Sequence, residues 1–221
     1  MTLQAKLDAF KADFEAGKPP YNAPRSVIEI MHRATAELEA SGLARHAKKA
    51  GDIAPAFTLN DPEGNPISSA ALLARGPLIV SFYRGVWCPY CNMELQALQE
   101  ALPEFEKLGA SLVAISPQTG ANSRKSVRQN NLAFPILSDV KGKVGEAFGL
   151  KFKLPDYLVE LYKGFKNDLP QFNDDPDWTL PMPARYVIGQ DGTILYAEVN
   201  PDYTVRPDPQ DMLPALRAIA G

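Results

Sequence analysis

Two residues in this chain of 221 have the chemistry for electron transfer, and they are its only cysteines: Cys88 and Cys91, in Trp87-Cys88-Pro89-Tyr90-Cys91. An offset of three lets the sulfurs meet across one helical turn, so a reversible disulfide is sterically reasonable. Cys88 directly follows an apolar run, Leu78 to Tyr83, and opens a helical pattern. Free backbone N–H groups and the positive end of the helix dipole face such a position. They favour thiolate over thiol and predict a pKa below the ordinary value of about 8.5. Pro89 suits the first turn, where its missing N–H has no partner to lose. Trp87 and Tyr90 are placed to shield the pair and wall it with rings. Two other readings use the same residues. Cys-x-x-Cys can be half a zinc site, but a closed site needs about four ligands, and the only histidines, His32 and His46, lie in an N-terminal helical stretch without zinc spacing. Free cysteines also serve as small buried hydrophobes. Nothing in the sequence implies a cofactor or a metal.

A second feature is Pro183, in Leu180-Pro181-Met182-Pro183-Ala184, just before the strand-like Arg185-Tyr186-Val187-Ile188. Proline is tolerated at the first position of a strand. A cis Met182–Pro183 bond there would turn backbone groups toward the disulfide, although local sequence alone favours trans.

The elements that would position these groups follow from periodicity. Leu3, Leu7, Phe10 and Phe14 recur at helical spacing until Gly17-Lys18-Pro19-Pro20, and a second helix is expected from about Pro24 to Leu38. The pattern then changes. Strands are expected at 56–59, 78–83, 111–115 and 134–137, with helices after the cysteines, over about 121–130 and over 140–148. Segments 184–188 and 193–199 flank Gln190-Asp191-Gly192, a hairpin signal, and a helix over 209–220 closes the chain. Strand–helix alternation followed by a hairpin and a helix predicts an α/β fold with a central mixed β-sheet flanked by helices. The expected organisation is an N-terminal helical extension over 1–50 and one domain over 51–221, interrupted by an insertion at about 151–181 rich in Pro, Asp and aromatics. The extension's apolar stripe needs a partner; the sheet edge, the site rim and a homodimer contact all qualify.

A formal charge of −3 gives no reason to expect nucleic acid or an anionic membrane as partner. The longest apolar runs are strand-sized, far from the ~20 residues of a membrane span. The charged, amphipathic N-terminus lacks a signal-peptide core, so a cytoplasmic location is expected.

The stretch from Gly51 to Val199 resembles the peroxiredoxin-like branch of the alkyl hydroperoxide reductase/thiol-specific antioxidant (AhpC/TSA) family, of thioredoxin-like fold. The resemblance rests on Gly51-Asp52-Ile53-Ala54-Pro55-Ala56-Phe57, Phe82-Tyr83, Ala114-Ile115-Ser116-Pro117, Phe134-Pro135-Ile136-Leu137-Ser138-Asp139, Ala147-Phe148-Gly149, and Tyr186-Val187-Ile188 with Asp191-Gly192. It implies a thiol-dependent antioxidant oxidoreductase that reduces hydroperoxides through a Cys88/Cys91 dithiol–disulfide cycle, with an external thiol of thioredoxin or glutathione type. The site departs from the family's Pro-x-x-x-Thr-x-x-Cys. The peroxidatic cysteine corresponds to Cys91, the threonine to Cys88, the proline to Arg84, and the family's distal arginine to Pro183, where thioredoxins carry a cis-proline. Met182 and Pro183 are therefore expected beside the cysteines with a cis bond between them, and Arg84 or Arg185 as stand-ins for the missing arginine. Three readings remain: peroxide reduction with Cys91 attacking first, thiol–disulfide exchange with Cys88 attacking first, and a non-catalytic redox-sensing or binding module.

Overall fold

The structure, a computed structural model, describes residues 1–219. Helix α1 (Leu3–Glu15) starts at Thr2, whose hydroxyl accepts a hydrogen bond from the Ala5 N–H, the side-chain cap such a start calls for. Helix α2 (Arg25–Ser41) ends on Gly42, in the left-handed conformation that glycine adopts without penalty. There follow β1 (Thr58–Asn60), β2 (Pro66–Ser68), α3 (Ser69–Leu73), β3 (Leu78–Phe82), α4 (Pro89–Lys107), β4 (Ser111–Ser116), α5 (Gly120–Asn130), β5 (Ile136–Ser138), α6 (Lys143–Ala147), β6 (Lys151–Lys153), α7 (Asp156–Gly164), α8 (Leu169–Asn173), β7 (Thr179–Pro181), β8 (Ala184–Ile188), β9 (Ile194–Val199) and α9 (Leu213–Arg217).

Seven strands form one sheet in the order β2-β1-β5-β4-β3-β8-β9, and β6 pairs separately with β7. The β3–β4 and β4–β5 pairs are parallel, whereas β8 runs antiparallel to both β3 and β9. The sheet is thus mixed and helix-flanked, as the pattern predicts. All five residues of β3 are buried, which is why it reads as a continuous apolar run rather than an alternating one. Side chains nonetheless alternate between the faces. Ile79, Leu112, Ala114 and Val187 join one apolar cluster with α4, and Leu78, Val80, Phe82, Val113, Ile115, Tyr186 and Ile188 join another with Phe148 and Leu150.

The N-terminal extension belongs to the first of these clusters. Leu3 and Leu7 are buried against α4 residues such as Leu95 and Leu98. The Leu3 N–H donates to Asp208 Oδ1 at 2.7 Å, and Gln4 Oε1 accepts from the Arg206 N–H at 2.7 Å. The extension's apolar stripe therefore finds its partner within the same chain.

Several elements differ from expectation. The first strand begins at Thr58 rather than Ala56, because Phe57 turns into the second cluster. The third parallel strand begins at Ile136, after Phe134 and Pro135. The helix expected over 140–148 is broken at Lys141, with φ 63°, into a single 3-10 turn and α6. The segment 151–181, expected as an insertion, carries β6, α7, α8 and β7. The closing helix is likewise split: a 3-10 turn over Pro209–Met212 precedes α9, where Pro214 cannot donate the bond that would continue one helix into the other. Ala220 lies outside the described residues.

Candidate active site

Strand β3 runs into the loop 83–87, which delivers Cys88 to the start of α4. Gly85 sits at φ 155°, and a Cβ there would lie 2.5 Å from Trp87 Nε1, so glycine is what lets the indole fold back over the loop. Buried polar bonds fix the loop from below. The Val86 N–H donates to Gln118 Oε1 at 2.9 Å, and Gln118 Nε2 donates to the Tyr83 hydroxyl at 2.6 Å and to Ser126 Oγ at 3.1 Å. Asn92 Nδ2 donates to the Val86 carbonyl at 2.8 Å. Each bond satisfies a group whose burial would otherwise cost about 1–3 kcal/mol.

Cys88 is the N-cap residue of α4, Pro89 occupies its first turn and Cys91 follows one turn in. Both are free thiols, 2% and 0% exposed. Their protons are held very differently. Burial works against a Cys88 thiolate, but the Cys91 thiol donates to its sulfur, the Arg84 guanidinium stands close, and the Cys91 N–H also donates to it. Together these outweigh burial and lower the Cys88 pKa to about 6. Cys91 moves the other way: burial pushes it well up, and its hydrogen bond to Cys88 keeps the proton in place. Across one turn, one sulfur is poised as a nucleophile and the other as a proton-bearing partner.

Of the charged side chains, Arg84 acts most strongly on Cys88. It is 4% exposed, with Nη1 4.0 Å from Cys88 Sγ. Its Nη2 donates to the Tyr162 hydroxyl, and its guanidinium lies 4.1 Å from the Tyr203 ring centroid and 4.9 Å from that of Trp87, within cation–π range. Beneath, Glu94 of α4 is buried between two further arginines. Arg206 Nε donates to Glu94 Oε2 at 2.8 Å, and Arg185 Nε lies 3.3 Å from Glu94 Oε1. The charge of Arg206 also lowers the pKa of both cysteines.

Above Cys88 opens a cavity of about 320 Å³. Arg84, Trp87, Pro89 and Tyr90 line it with Cys88; Cys91 does not reach it. Its remaining walls are mostly aromatic, and Tyr162 and Tyr203 among them have no local signal in sequence.

Three expectations fail. The Met182–Pro183 bond is trans; among the described residues the only cis bond is Pro19–Pro20. Met182 is fully buried in the cluster on the far side of the sheet from the cysteines. Its N–H donates to the Leu150 carbonyl at 2.8 Å, a bond that extends the pairing of Lys151 with Pro181 in β6 and β7. Pro183 borders a smaller space beside Arg84 and Tyr203 and does not line the cavity over Cys88. Arg185 is turned to Glu94 and donates to the Pro207 carbonyl; it does not line the cavity either. The second charge near the sulfurs comes instead from Arg206, in a C-terminal segment with no recognisable pattern. Glu94 did leave a trace: it shares a helical face with Cys91, Leu95 and Leu98, and a carboxylate on an apolar face marks a buried partner.

Comparisons with known proteins agree with this fold. The AhpC/TSA family profile matches residues 50–197. Peroxiredoxin Q of Oryza sativa subsp. japonica, a chloroplastic protein, is 32% identical over 150 residues, which are 68% of this chain and 58% of that one. Among solved structures, peroxidoxin BcpB from Mycobacterium tuberculosis superposes with a TM-score of 0.61 at 26% identity, covering 77% of this chain and 97% of the other. Peroxiredoxin Q of Xanthomonas campestris gives a TM-score of 0.57 at 20% identity, over 75% and 92% of the two chains, a likeness of fold. The chain belongs to the AhpC/TSA family. It is a thioredoxin-fold oxidoreductase of the peroxiredoxin class, a thiol-dependent antioxidant peroxidase.

Proposed function

We propose that the protein reduces hydroperoxides with Cys88 as the attacking sulfur and Cys91 as the resolving one. The correspondence with the family pattern favours the reverse order. The observation that carries the present order is that Cys88 alone both lines the cavity and has a depressed pKa, while Cys91 is sealed beneath it with its proton retained.

In the first step the Cys88 thiolate attacks the nearer peroxide oxygen. The O–O bond breaks, Cys88 becomes a sulfenic acid, and the departing alkoxide takes a proton and leaves as the alcohol. Arg84, within reach of Cys88 Sγ, stabilises charge on the sulfur before attack and on oxygen during it, as preorganised cations do. In the second step the Cys91 sulfur attacks Cys88, its proton leaves with the sulfenic hydroxyl as water, and a Cys88–Cys91 disulfide remains. An external thiol restores the dithiol. Exchange with protein disulfides would use the same first nucleophile, but it needs an exposed sulfur, and neither is exposed.

The single-cysteine variants test the order. Cys91→Ser should consume one equivalent of hydroperoxide and leave a dimedone-reactive sulfenic acid on Cys88, mapped by mass spectrometry; Cys88→Ser should be inert. A sulfenic acid on Cys91 in Cys88→Ser, with Cys91→Ser inert, would reverse the assignment.

A further inference from the structure

The cavity over Cys88 has a roof that the family match does not include. Residues 1–49 fall outside the matched segment, yet Phe10, Phe14 and Tyr21 line the cavity. Phe10 meets the Tyr90 ring edge-on, with centroids 5.1 Å apart and planes at 87°, and Tyr21 at 5.4 Å and 88°. Such pairs contribute about 0.5–1.5 kcal/mol each beyond area burial. The roof is anchored, because α1 is held by buried Leu3 and Leu7 and by the bonds to Asp208 and Arg206. Phe165, 40% exposed, faces the same opening from the segment after α7, and Tyr21 is 50% exposed.

This geometry bears on what can reduce the disulfide. Thiol–disulfide exchange requires an incoming sulfur to reach one of the two bonded sulfurs in line. A protein thiol arrives on a folded surface, and even a transient protein contact covers several hundred Å² on each partner. With Cys88 at 2% exposure and Cys91 at 0%, that sulfur would have to pass a ring-lined opening. At about 320 Å³ the cavity is at the small end of ligand sites.

We propose that the N-terminal helices make this cavity a site for low-molecular-weight thiols, which reduce the Cys88–Cys91 disulfide in place of a protein reductant. The proposal rests on the dithiol–disulfide cycle given above. A small thiolate enters the cavity and attacks Cys88 Sγ, the sulfur that faces it. The Cys88–Cys91 bond breaks, its electron pair passes to Cys91, and Cys91 takes up a proton, in keeping with its raised pKa. A second small thiolate then attacks the outer sulfur of the mixed disulfide and leaves as the symmetrical disulfide, and Cys88 returns as thiolate. Two small thiols are oxidised and one protein disulfide is reduced.

The test uses the full chain, oxidised with diamide so that it does not depend on reaction with peroxide. Recovery of the dithiol is followed by alkylation and mass spectrometry with reduced glutathione, with cysteine, and with thioredoxin kept reduced by its reductase. Both small thiols should reduce the protein, and thioredoxin at equal concentration should be no faster than glutathione. Phe10→Ala and the solvent-exposed Tyr21→Ala should each raise the ratio of thioredoxin to glutathione rates about tenfold by opening access to sulfur. Thioredoxin outrunning glutathione on the wild type overturns the proposal, as does an unchanged ratio in folded Tyr21→Ala. Failure of diamide to form a Cys88–Cys91 disulfide overturns the cycle and this proposal together; faster reduction by thioredoxin overturns this proposal alone.

Discussion

The two faces of the central sheet bury different kinds of matter. On one, Leu78, Val80, Phe82, Phe148 and Tyr186 pack as an aliphatic and aromatic cluster, with Phe82 and Phe148 ring centroids 5.0 Å apart. On the other, Ile79 and Val187 share the interior with Glu94, Arg185, Arg206 and both cysteines. The alternation of one strand feeds both: Arg185 and Tyr186 are neighbours in β8 and point opposite ways. The charged face holds more buried cation than anion. Arg84, Arg185 and Arg206 are all nearly inaccessible, against one buried carboxylate in Glu94. Burial pushes Glu198, which pairs with Arg185 across β8 and β9, up to about 7. Ionised Cys88 supplies part of the missing negative charge. One face is thus devoted to cohesion, and the other uses that rigidity to hold charge around a sulfur.

The sharpest way to break this division is to damage each face separately. Phe148→Ala should cost about 3–5 kcal/mol in denaturant melts and leave the rate of Cys88 alkylation in the folded protein unchanged. Glu94→Gln should cost a similar amount, about 3–5 kcal/mol, because it strands buried guanidinium, and should also lower the Cys88 pKa further. If both variants alter Cys88 alike, the faces are not separate. Arg84→Met comes next. Losing a cation within 4–6 Å moves a pKa by about 1–3 units, so Cys88 should titrate higher from about 6, and peroxide consumption at pH 7 should fall by about two- to ninetyfold, with partial recovery on raising the pH. The part of the drop that persists at high pH measures the action of Arg84 on the transition state; full recovery would confine Arg84 to ionisation of Cys88.

A smaller effect appears in stability against pH. The Cys88 pKa is depressed in the fold below the ordinary thiol value of about 8.5. Above pH 9 its stabilisation is complete, and it is lost as pH falls toward about 6. Over that window stability should rise with pH by up to about 1 kcal/mol per unit, and Cys88→Ser should flatten the slope. Cys91, raised in the fold, opposes this only above pH 9, where the unfolded chain begins to lose that proton. Melts at several pH values measure the difference.

What the sequence disclosed follows a physical boundary. Cys88, Cys91, Trp87, Pro89, Tyr90 and Arg84 lie within eight residues of one another, so helix geometry alone brings most of them together. The mixed sheet was legible because β3, β4, β8 and β9 carry long apolar runs and a turn signal. Tyr162, Tyr203 and Arg206 reach the site through tertiary packing of irregular segments, which leaves no period to read. Pro183 misled because its place before β8 matches a thioredoxin-like pattern, whereas Met182 is bonded to Leu150 and buried on the far face of the sheet, a long-range placement invisible locally.

The most direct test of the account is the pH dependence of alkylation of the reduced protein by iodoacetamide, with each cysteine quantified by peptide mass spectrometry. Cys88 should react with an apparent pKa near 6, well below that of an ordinary thiol, while Cys91 stays unmodified through pH 9. Cys91 reacting first, or both sulfurs titrating together near pH 8.5, would contradict the assignment of Cys88 as the nucleophile.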